Sequence, residues 1–116
     1  MNADVKVRWV ERLRSGGDKQ GRGALRQDNA FCCLGVLCDI YAQETGTKWV
    51  GNYDRDDGDM SFLGAVEDLP TAVCEWAGLD TSDPYVTIDG EVNVLAVAND
   101  AGSTFAQIAD LIEEGL

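Results

Sequence analysis

The chain has 116 residues, 45% of them hydrophobic, with 21 acids against nine bases, no histidine and a net charge of −12. That length and composition suit one modest core and exclude extended disorder; no apolar run approaches the ~20 residues of a membrane-spanning helix. A pI near 4.1 excludes general nucleic-acid binding, because phosphate contacts need a positive surface.

The charge is divided along the chain. Residues 1–26 hold seven bases (Lys6, Arg8, Arg12, Arg14, Lys19, Arg22 and Arg26) and three acids (Asp4, Glu11 and Asp18), net +4. The other 90 residues hold Lys48 and Arg55 against 18 acids, net −16. This pattern describes either an anion-binding end on an acidic body or two parts that attract each other.

Residues 3–14 read as an amphipathic helix. Val5, Trp9, Val10 and Leu13 form its apolar stripe, with Asn2 or Asp4 as cap and Ser15-Gly16-Gly17 as its end. Lys6, Arg8, Arg12 and Arg14 lie on the other face, where solvation is the default. The polar segment 18–22 leads into GALR (23–26) and AFCC (30–33), two short apolar runs around Gln27-Asp28-Asn29 that predict a β-hairpin. From about Leu34 the period becomes helical, with Leu37, Cys38 and Tyr41 following, and Gly46 stands where a helix ends.

TKWV (47–50) predicts a short strand, and residues 51–60, carrying Asp54, Asp56, Asp57 and Asp59, a mobile, solvated acidic loop. PTAVCEWAG (70–78) opens on a proline suited to a helix's first turn, with Val73, Trp76 and Ala77 inward. YVTID and EVNV around Asp89-Gly90 predict a second hairpin. Leu95–Ala98 starts a helical turn that breaks at residues 99–102. A last helix over about 104–114 has capping-box spacing at Thr104 and Gln107 and an inner face of Phe105, Ile108, Leu111 and Ile112. The expected fold is α+β: about four helices and two short hairpins around one core, as a single domain over residues 1–116. The opening MNADVKVRWVERLRSG lacks an apolar signal region, so the expected location is cytoplasmic.

Chemistry is thinly supplied. Without histidine the usual base near neutral pH is missing, and no cofactor pattern appears, so the expectation is a protein that is not an enzyme. The aspartates of 54–59 lack a calcium loop's alternation and closing glutamate. Cys32, Cys33, Cys38 and Cys74 fit no zinc spacing and sit among apolar neighbours, which predicts buried, reduced thiols without metal. The best constellation for a ligand is Lys19, Gln20, Arg22 and Arg26 beside the start of the second helix. There, arginine forks and free backbone N–H groups favour phosphate or carboxylate. Trp49, next to Lys48, adds an aromatic face for stacking.

The runs GRGALRQDNAFCCLGVLCDIYAQETG, LPTAVCEWAGL and VLAVANDAGSTFAQIADLIEEGL resemble an uncharacterised family of small proteins encoded by bacteriophages and prophages, most distinctively in the FCCLGVLCD core. The resemblance implies a phage accessory protein acting in the bacterial cytoplasm on host physiology or defence. The leading expectation is a non-enzymatic binder of a small anionic, nucleotide-like ligand at the basic end. The first alternative is an inhibitor whose acidic surface imitates DNA and docks on a basic host protein. The second is an enzyme of unrecognised type. Direct nucleic-acid or membrane binding is not expected.

Overall fold

A computed structural model describes residues 1–51 and 58–116. The expected acidic loop lies largely outside those residues, but Asp59 is within them and is buried, not solvated. Among the described residues there are five helices: α1 (Ala3–Arg14), α2 (Cys33–Thr45), α3 (Thr71–Ala77), α4 (Leu95–Asp100) and α5 (Phe105–Gly115). Seven short strands join them: β1 (Lys19–Gln20), β2 (Arg26–Gln27), β3 (Ala30–Phe31), β4 (Val50–Gly51), β5 (Met60–Ser61), β6 (Tyr85–Ile88) and β7 (Glu91–Val94). The fold is α+β, as the periodicities predict, with a fifth helix and a third hairpin.

The helix ends follow local chemistry. The Asn2 side chain caps α1 by accepting from the Val5 N–H at 3.1 Å, and Gly46, at φ 75°, ends α2 in the left-handed region. At α5, Thr104 and Gln107 close a reciprocal capping box. Two expectations needed correction. α4 runs on through Asn99 and Asp100 and ends at Ala101, because Asn99 packs inward. In α3 it is Cys74 that joins Val73 and Ala77 in the interior, while Trp76 is half-buried and donates its indole N–H to Glu44 at 2.8 Å.

The hairpins sit where the turn residues place them. β2 and β3 pair antiparallel across Asp28-Asn29, and β1 adds to the far side of β3 in parallel. β6 and β7 pair across Asp89-Gly90, whose φ values of 50° and 82° suit a type I′ turn. β4 pairs with β5, a partner with no alternating signal of its own. The core gathers Trp9 and Leu13 of α1, Leu34 and Leu37 of α2, Phe62, Val73, Leu95, and Ile108 and Ile112 of α5. No described helix is long and apolar enough to cross a membrane.

Candidate functional site

Register separates the nominated residues. Lys19, Ala30 and Gln27 stand opposite one another across the β1-β3-β2 sheet, as do Gln20, Phe31 and Arg26. Side chains alternate faces along a strand, so Lys19 and Arg26 belong to opposite faces. Lys19 is exposed beside a cleft of about 420 Å³ that Gln27, Asp28 and Asn29 also line. Gln20 is committed internally: its amide donates to Asn99 Oδ1 at 2.9 Å and to the Ser103 carbonyl at 2.8 Å. Arg22 is exposed near Gly102.

Arg26 and Trp49 do come together. The Arg26 guanidinium lies 5.5 Å from the Trp49 ring centroid and 5.0 Å from that of Phe31. Its Nε donates to the Asp28 carbonyl at 2.6 Å. Trp49 is half-buried, packs on Phe31 and Phe62, and donates its indole N–H to Asp39 at 2.9 Å. Lys19, Arg22 and Arg26 form no ion pair with any described residue.

The α1 arginines behave differently. Arg12 bridges Asp18 (2.9 Å) and Asp39 (2.7 Å), Arg14 bridges Asp110 (2.6 Å) and Glu113 (2.9 Å), and Arg8 reaches Glu44 at 3.6 Å. Hydrogen bonding to Asp18 above all raises the Arg12 pKa, against the opposing effect of burial. The three arginines of α1 are therefore held by carboxylates within the chain, and for Arg12 the face is not a solvated one.

The start of α2 is closed to an outside anion. Cys33 to Leu37 are buried there. The Gly35 N–H donates to Cys32 Sγ at 3.4 Å and the Cys33 N–H to Asn99 Oδ1 at 3.2 Å. Asn99, fully buried, organises this corner. Its Oδ1 also accepts from Gln20, and its Nδ2 donates to the Gly21 carbonyl at 2.8 Å and to Asp100 Oδ1 at 3.2 Å. Asp100 Oδ1 accepts the Gly23 N–H at 3.0 Å. Thus residues 20–23, expected to meet a ligand, are fastened to the end of α4. Asn99 was not legible as their anchor; the one signal was a polar pair closing the apolar run LAVA.

Acids dominate the neighbouring surface. A cleft of about 250 Å³ is lined by Ala24, Cys32, Glu67, Asp68, Ala96 and Asp100, among others. Beside it Asp83 accepts the Ala96 N–H at 3.2 Å. Burial first, and then Asp68 and Asp100, raise the Asp83 pKa, while the Ala96 bond opposes the shift. Glu67, Asp68, Asp83, Asp89, Glu91 and Asp100 form no ion pair with any described residue.

The four cysteines are buried free thiols. Burial is the first cause of every shift and raises all four pKa values, Cys32 to about 11 from the ordinary 9.0. A thiolate nucleophile is therefore disfavoured at neutral pH. The linkage has a definite sign: the folded state resists ionisation, so stability is intact below pH 9 and falls as pH rises toward 11. Across that window the Cys32 thiol should remove about 1.4 kcal/mol per pH unit. Melting curves from pH 8 to 11 should show this loss, and a Cys32→Ala variant should show less of it. An equal alkaline loss in that variant would rule out Cys32 as a source.

These features define a small acidic α+β domain whose α1 arginines are paired within the chain. Over residues 1–116 the chain belongs to a family described as Domain of unknown function (DUF8296). No curated protein and no solved structure matches it.

Proposed function

We propose that this protein is a non-enzymatic accessory binder, of the phage or prophage kind that the sequence resembles, which docks its acidic body on a basic host protein. One observation carries this reading. The arginines of α1 are held by carboxylates within the chain, whereas the eight acids from Glu67 to Asp100 have no basic partner among the described residues. The segment from Glu67 to Asp100 holds no lysine or arginine, so its surface steers a cationic protein toward it and repels nucleic acid and anionic lipid. A basic protein that ordinarily holds DNA is the matching target.

The test is association with a purified DNA-binding host protein across a salt series. Binding should weaken as salt rises, duplex DNA should compete, and Glu67→Gln with Asp68→Asn should slow association. Binding insensitive to both salt and DNA would remove the reading. A second reading, a small anionic nucleotide-like ligand, draws on the Arg26–Trp49 contact, where a guanidinium meets phosphate and an indole stacks a base. Nucleotides should then raise the melting temperature, and Arg26→Ala should reduce that rise. A broad nucleotide panel without any stabilisation would end this second reading.

A further inference from the structure

The register of β6 and β7 places Tyr85, Thr87, Val92 and Val94 on one face of the hairpin. The opposite face turns to the core: Val86 is 4% exposed, but Tyr85 is 62% and Val92 70% exposed. Val97, one turn into α4, is a further exposed apolar side chain. Tyr85 also borders a cleft of about 520 Å³ lined in part by Leu79, Asp80, Pro84 and Leu116. An outward sheet face rich in valine and tyrosine, continuous with a largely apolar cleft, has the composition of an interface core.

Its charge selects the occupant. Asp80, Asp83, Asp89 and Glu91 flank the face in sequence, and the chain contains no lysine or arginine beyond Arg55. A second copy is disfavoured, because a two-fold contact would set these carboxylates against themselves. An acidic partner is repelled for the same reason. We propose that the outer face of the β6–β7 hairpin, with the cleft beside Tyr85, docks a cationic protein segment whose apolar side chains seat on Tyr85 and Val92. Its lysines or arginines meet Asp80, Asp83, Asp89 and Glu91. This inference rests on the acidic-binder reading and gives it a location.

The test uses the full chain and three peptides of equal length: an amphipathic lysine–leucine peptide, an oligolysine, and an amphipathic glutamate–leucine peptide. Amide chemical shifts are followed during titration. The lysine–leucine peptide should move the amides of Tyr85–Val97 and of Leu79 and Asp80. Oligolysine should bind more weakly, and the glutamate peptide should leave the spectrum unchanged. Tyr85→Ser with Val92→Thr, both at exposed positions, should weaken the first interaction by about tenfold. Equal binding of oligolysine would overturn the proposal, since apolar anchoring would then contribute nothing. Shifts confined to Glu67, Asp68 and Asp100 would overturn this face and leave the acidic-binder reading in place. No binding of either cationic peptide would remove both. Concentration-dependent dimerisation abolished by the double variant would assign the face to a second copy instead.

Discussion

Gly35→Ala should abolish the cooperative unfolding transition. A Cβ at this position would lie 1.7 Å from the Leu25 carbonyl oxygen and 2.7 Å from its carbon. Both obstacles are backbone, so no side-chain rotation relieves them. The Leu25 segment cannot retreat easily: its N–H donates to the Val66 carbonyl at 2.7 Å, its carbonyl accepts the Cys32 N–H at 3.2 Å, and its side chain is fully buried. Nor can α2 move away, because Leu34, Leu37 and Cys38 on the same helix are fully buried in the core. Overpacking by one methyl usually costs about 1–3 kcal/mol, but a backbone collision at a fixed contact belongs to the rare losses above about 4 kcal/mol. That is comparable with the whole stability of a small domain. Urea denaturation followed by circular dichroism is the measurement. Gly115→Ala, where the added Cβ meets nothing within 4 Å, is the control and should melt like the parent. A Gly35→Ala protein unfolding cooperatively within about 1 kcal/mol of the parent would show that the contact yields.

That contact also marks where reading the sequence succeeds and where it stops. The helices at 3–14, 33–45 and 105–115 and the hairpin at Asp89-Gly90 carry their signals locally, in apolar period, caps and turn residues. Pairing of β1 with β3 rests on two residues per strand, and β5 pairs across residues 51–60, so neither leaves a periodic trace. The candidate site was harder still. Arg26 on β2 and Trp49, just before β4, meet only through tertiary packing, and register then parts Lys19 from Arg26. The buried start of α2 did have a trace. FCCLGV offers no polar capping residue, so the helix must begin inside the protein, capped by a sulfur and by a distant amide. Charge totals left attraction between the chain's two parts as one of two readings, and did not show that α1's arginines would satisfy it while Lys19, Arg22 and Arg26 would not.

Asn99→Ala should produce the second-largest loss, about 3–5 kcal/mol, because it leaves several buried groups unpaired at once. The Cys33 N–H and the Gly21 carbonyl lose their partners, and the Gln20 amide keeps only the Ser103 carbonyl. Asn99 is fully enclosed, so water cannot readily replace it. Asn99→Asp separates lost packing from lost hydrogen bonding. It retains an acceptor for Cys33 and Gln20, but sets a second oxygen against the Gly21 carbonyl and Asp100, where the amide had donated. A carboxylate enclosed there is disfavoured in its charged form, so its folded-state pKa should lie above the unfolded value near 4. The Asp variant's deficit relative to the parent should therefore be full near neutral pH and shrink as pH falls through the folded pKa and below the unfolded one. The Ala variant's deficit should not depend on pH in this way. Paired denaturation curves at pH 7 and pH 4 for parent and both variants decide the matter, with the exchange rate of the Cys33 amide as a local readout. If Asn99→Ala costs less than about 1 kcal/mol and leaves that amide protected, then Asn99 does not fasten residues 20–23 and the start of α2 to α4.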